Sequence, residues 1–239
     1  MNASADSAPR RRWAGAWMDA VAFVAGLALA RVSGWNSADL VWSLWLSSLV
    51  VGYAMIVWSV TRPLRELLRG LPRPTDGRSL VGEGAVATLF GVGTLFGLAF
   101  FTVHFGGFHF VHSVFLNHFF PIQVTNDVSR GWPGLPVYLE VLRRYWIFLP
   151  IAFLAERAAF APPRSEGPSP AVTPEAILRR KAGGDAMMTP YRNVIRMHLL
   201  IFFFAFAHFA KLENFAVYAV VYAVYFFPWR LLGREAQAS

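Results

Sequence analysis

Four of the six histidines in this chain, His104, His109, His112 and His118, lie in one apolar run at 100–118, and His198 and His208 fall in a later one. Neutral imidazole is the commonest transition-metal ligand, and in hydrocarbon a ring nitrogen needs a partner. At ~100° per helical residue, His104, His112 and His118 share an arc of ~120°, with His109 a further ~60° round from His112. His109 and His112 are three apart, so one ion can bridge consecutive turns. His104 lies ~12 Å along the helix from His112 and reaches that ion only through a kink at Gly106 and Gly107. Counted from the outer ends of their segments, His104 and His198 lie at a similar depth, ~20–24 Å in. The expected metal ligands are therefore His104, His109, His112 and His198, with Glu140, Glu156 or Asp127 available to complete the set. Zinc, iron or copper is the expected ion. A b-type haem between facing histidines is a second cofactor reading. The step from His104 to His118 suits two stacked haems, and the step from His198 to His208 suits them less.

Two further readings need no cofactor. The histidines can line a proton or ion path in a small transporter, or each can bond a neighbouring helix carbonyl or hydroxyl in a protein that serves assembly alone. Neither a His-Glu-x-x-His nor another recognised catalytic motif occurs, so the sequence assigns no reaction.

The elements that must carry these histidines are membrane helices. The chain is 56% hydrophobic and only 15% charged, in long apolar runs that a soluble core of this size cannot hide but a bilayer can. Cysteine is absent, which excludes disulfides and thiolate sites. The expected architecture is an all-α polytopic bundle of about six transmembrane helices, the third long and kinked. A disordered basic segment at 1–12 precedes a span at 13–30. That span also fits a signal peptide cut after Ala30, and retention is favoured. A second span is expected at 39–61, a third region at 81–120, and further spans at 140–159, 192–210 and 215–229, with a turn at 211–214. As one helix the third region is ~60 Å long, twice a hydrocarbon core, so a span followed by a re-entrant segment is the alternative. Cytoplasmic loops are expected at 62–80 and 161–190, the second with a short helix starting at Thr173-Pro174-Glu175, and a tail at 231–239.

Charge orients the bundle. With six crossings, one side collects Arg10 to Arg12, the arginines of 62–78, the basic residues of 157–196, and Arg230 with Arg234, which is 17 of the 22 Lys and Arg. The positive-inside rule makes that side cytoplasmic and places both termini there, in a bacterial inner membrane. The net charge of +8 is then explained by the loops, and the expected partner is the lipid bilayer, not nucleic acid. A homo-oligomer is compatible with the same sequence. Gly93 and Gly97 form a close helix-packing step. The phenylalanines at 202–204, 206 and 209 read as lipid contacts and core.

The stretch His104-Phe105-Gly106-Gly107-Phe108, followed by His112 and Phe115, resembles a His-[Tyr/Phe]-Gly-x-Phe-x-x-x-His-x-x-Phe signature of uncharacterised bacterial membrane proteins, a domain of unknown function. Pro190-Tyr191-Arg192 with Val194 and His198 is similar to the start of a late helix in that family. Trp45-Leu46 with Gly52 matches its second span, where the family carries an acidic residue and this chain has Ser47 and Ser48. The resemblance covers most of 39–229. It implies a multi-span fold, points to His104, His112 and His198, and supplies no activity.

Overall fold

The computed structural model describes residues 7–70, 80–124, 131–161, 195, 199–200, 202–204, 206–207, 209–211 and 215–226. Among these residues six helices are bounded: α1 Ser7–Val32, α2 Ser37–Gly70, α3 Leu80–Phe119, α4 Leu135–Tyr145, α5 Leu149–Ala155 and α6 Phe215–Phe226. Short 3-10 turns, Trp146–Phe148 and Arg157–Phe160, flank α5. The described residues between 199 and 209 are also helical, and no strand occurs among the described residues. The expected helix at Thr173 and most of the 161–190 loop lie outside them.

Among the described residues, two stretches are long and apolar enough to cross a membrane, Ser37–Arg65 of α2 and Ala87–Phe119 of α3. They differ in surroundings. The α2 stretch is mostly buried, as a soluble core helix would be, whereas the α3 stretch is mostly exposed. Leu89, Leu95, Phe96 and Val103 each expose 70% or more of their surface. An exposed apolar surface of that length matches lipid better than water, which makes α3 a candidate membrane span. The third apolar region forms one continuous helix, not a span with a separate re-entrant segment.

Three boundaries differ from the sequence expectation. α1 starts at Ser7, inside the segment expected to be disordered. α2 runs past Pro63 to Gly70, into the expected loop. Arg65 folds back there, with its guanidinium 4.0 Å over the Trp58 ring and Nη2 donating to the Trp58 carbonyl at 2.9 Å. That contact supports the turns around the proline, which itself contributes no N–H. The expected fourth span at 140–159 is interrupted. Pro150 stands in the first turn of α5 and cannot donate to the preceding turn, so α4 ends at Tyr145 and Leu149 N–H bonds back to Trp146 O.

The chain forms two compact units. The first takes described residues from Met1–Ser47, Ser113–Ala158 and Leu199–Ser239. Here α1 packs on α5, and the Asp19 carboxylate pairs with the Arg157 guanidinium. At Gly26 the backbone admits Tyr222 of α6 so closely that an added Cβ would sit 2.8 Å from its Cζ and 3.3 Å from Cε2 of Phe148. Phe23 stacks on the same tyrosine at 5.4 Å. After the helical residues of 199–209, Lys211 takes a left-handed φ of 55° where the expected turn starts; residues 212–214 lie outside the described set.

The second unit takes described residues from Ser48–His112 and Ala159–His198. Phe105 and Ile56 form its buried centre, lined by Leu49, Val60 and Phe101. Gly97 packs against Val60, 3.2 Å from where a Cβ would be, while a Cβ at Gly93 would meet no described atom within 4 Å. Among the described residues, only Gly97 of the expected packing step is therefore used.

Candidate functional site

The second unit holds a buried pair of imidazoles on α3. His109 exposes 1% of its surface and His112 3%. Phe105 lies one turn before His109, and its carbonyl is 3.0 Å from His109 Nδ1. A carbonyl only accepts, so Nδ1 carries the hydrogen and donates. On the other side of the ring, Nε2 lies 3.2 Å from Oγ of Ser48, presented by α2. In the neutral ring Nε2 accepts from the Ser48 hydroxyl. In the protonated ring it donates to the same oxygen, whose hydrogen turns away. Both protonation states are thus hydrogen-bonded without moving the backbone.

Packing sets this geometry. The Phe105 ring is fully buried, its centroid 4.3 Å from that of His109. It fits because α2 has glycine at position 52, where a Cβ would meet Phe105 Cζ at 2.6 Å. The His112 ring lies 6.1 Å from that of His109, at 75°. About one helical turn before Phe105, Thr102 donates to Leu98 O at 2.7 Å and pairs with the Tyr53 hydroxyl at 2.8 Å.

The expected four-histidine set is not assembled among the described residues. His104 is exposed and stacks on Phe100 at 5.5 Å, with Phe108 edge-on at 5.0 Å. His118 is exposed beside Phe119. His198, His208 and Asp127 fall outside the described residues. Glu140 is committed to two arginines: Arg143 binds it through Nε and Nη2 at 2.7 and 2.6 Å, and Arg144 through Nε. These hydrogen bonds, Arg143 first, hold its carboxyl at about 2, well below the ordinary 4.5. Glu156 follows α5, its N–H bonding Ala152 O. No group of three or more His, Asp or Glu side chains among the described residues is placed to hold a metal.

The first unit contains polar contacts that the histidine pattern does not reveal. Asn36 and Asp39 cap α2 reciprocally: Asn36 Oδ1 accepts from Asp39 N–H at 3.1 Å, and Asp39 Oδ2 accepts from Asn36 N–H at 2.9 Å. The remaining oxygen of Asp39 accepts from the Tyr145 hydroxyl at 2.7 Å. Burial, then the Asp39 carboxylate, push the Tyr145 phenol well above its ordinary range. Ser113, fully buried, pairs with the Tyr138 hydroxyl at 2.8 Å, and Tyr138 stacks on Trp45 at 5.8 Å. Trp42 donates to Phe120 O at 2.8 Å. The Asn36-x-x-Asp39 spacing is a readable capping signal; the long-range pairs have none.

No curated protein and no solved structure matches the chain. A family model does match, over residues 5–159, which include Trp45, Gly52 and the run from His104 to Phe115 but end before Pro190. On that match the chain belongs to a family of unknown function (DUF6498).

Proposed function

We propose that this is an integral protein of a bacterial inner membrane whose functional element is the His109–His112 pair, serving as a proton-exchanging site in a small carrier or channel. The observation that carries the reading is the pair of oxygens facing the His109 ring. A carbonyl on one side and a hydroxyl on the other satisfy the imidazole with or without its second proton. Buried ionisable groups in membrane helices commonly mark proton or ion paths. The exposed apolar surface of α3 supports the membrane placement. The bias of Lys and Arg to one side supports six crossings with both termini cytoplasmic, and Gly106 and Gly107 are where α3 would bend.

The test is proton flux into liposomes carrying the purified chain, followed with an internal pH dye across a range of external pH. Wild type should show flux that His109→Ala abolishes and Ser48→Ala shifts in pH. Absence of flux at every pH refutes the carrier reading.

A second reading keeps the pair as metal ligands, with His104 and His198 completing the set and a transition metal or b-type haem bound. It is favoured by the placement of His109 and His112 one turn apart with ring centroids 6.1 Å apart, and it requires His109 Nε2 to exchange Ser48 for the metal. Elemental analysis of protein purified without a histidine tag decides it. Stoichiometric metal lost in both His109→Ala and His112→Ala supports it, and no metal after reconstitution refutes it.

A further inference from the structure

α4 is 11 residues long, ~16 Å at 1.5 Å per residue and about half of a hydrocarbon core. Its residues sort into three faces. Val137, Val141 and Tyr145 are buried in the first unit. At ~100° per residue, Leu135, Leu139, Leu142 and, one step beyond the helix, Trp146 fall within an arc of ~60°. These four are 69%, 57%, 45% and 57% exposed. Between the buried face and this stripe runs a charged ridge of Arg143, Glu140 and Arg144, held together by the ion pairs described above.

A helix crossing hydrocarbon would carry that ridge into lipid at high cost. A helix in water would not present three leucines and a tryptophan in one line. A helix lying in the plane of the bilayer surface needs one face for protein, one for acyl chains and one for water. Two arginines to one glutamate leave the ridge net positive, which complements a phosphate of negative charge.

We infer that α4 is an interfacial helix, with Leu135, Leu139, Leu142 and Trp146 in the boundary between headgroups and acyl chains and Arg143 and Arg144 on the phosphate of an anionic phospholipid. The inference rests on the membrane placement proposed above and is independent of the histidine pair. It leaves the fourth crossing to 146–160, where α5 and its two 3-10 turns together extend ~25 Å at their respective rises.

The absence of cysteine makes the test direct. Leu139→Cys, Leu142→Cys and Arg143→Cys, each carrying a nitroxide, are reconstituted as full chains in vesicles of phosphatidylcholine with phosphatidylglycerol. Collisions with oxygen and with a nickel chelate then report depth. The labels at 139 and 142 should favour oxygen at ~5–10 Å below the headgroups, and the label at 143 should favour nickel. Equal access of nickel to 139 and 143 overturns the inference, and so does burial of all three in hydrocarbon. A control label at Leu89→Cys on α3 separates the failures. If it too meets nickel, the membrane placement fails; if it meets only oxygen, α4 alone is misassigned. Spin-labelled phosphatidylglycerol should associate with wild type in preference to phosphatidylcholine by about fivefold per arginine. Arg143→Gln with Arg144→Gln should remove that preference, and its absence from wild type overturns the anionic-lipid assignment.

Discussion

Replacing Gly52 with alanine places a methyl carbon 2.6 Å from Cζ of Phe105 and 3.3 Å from its Cε2. The ring must retreat by about 0.8 Å to reach ordinary contact, and it is fully buried against Ile56, Leu49, Val60 and Phe101. Overpacking of this kind costs about 1–3 kcal/mol. Alanine in a helix interior returns ~0.8–1 kcal/mol relative to glycine. The two terms oppose each other, and the clash is the larger, so Gly52→Ala should destabilise by about 1 kcal/mol. Phe105→Leu removes the atom that clashes while keeping the backbone carbonyl that orients His109. In that background the propensity term stands alone, and Gly52→Ala should stabilise by up to ~1 kcal/mol. The assay is reversible unfolding in mixed micelles with increasing dodecyl sulfate, followed by tryptophan fluorescence. The sign change between backgrounds is the diagnostic. Equal destabilisation in both would refute the claim that Gly52 exists to seat Phe105 beneath the histidine.

Other expectations follow from the first unit. Tyr145→Phe removes a bond to the Asp39 carboxylate and should cost about 1.5 kcal/mol in the same assay, with Asp39→Asn giving less than additive loss when combined. Glu140 has a folded-state value of about 2 against an ordinary 4.5. Its contribution is therefore fully present above pH ~4.5 and is lost as pH falls towards 2; Glu140→Gln should flatten the stability profile in that window, and an unchanged profile would contradict it. α1 is joined to its unit by Asp19–Arg157 and by Gly26 against Tyr222, so N-terminal sequencing of membrane-extracted protein should find residues before Arg31. A mature chain starting at Arg31 would sink that expectation.

What the sequence determined by itself is the helical, apolar character of the chain. The third region, read at 81–120 from hydropathy, folds as Leu80–Phe119, because the length and composition of an apolar run are local properties that neither loops nor partners alter. The second span was equally legible, although its helix continues past Pro63 once Arg65 covers Trp58. Pro150 was visible too, but a continuous apolar run concealed the interruption it makes in the backbone bonding.

Which histidines matter structurally was decided only by tertiary packing. Helical rotation spreads His104, His109, His112 and His118 over about half a turn and cannot say which side another helix covers. α2 covers the side of His109, because Gly52 admits Phe105 and Ser48 reaches Nε2, and His104 is left on the exposed surface. The same holds for Ser113 with Tyr138 and for Asp39 with Tyr145, 25 and 106 residues apart. A hydrogen bond between distant residues depends on where the chain brings two helices together, and no periodicity within either helix encodes its partner.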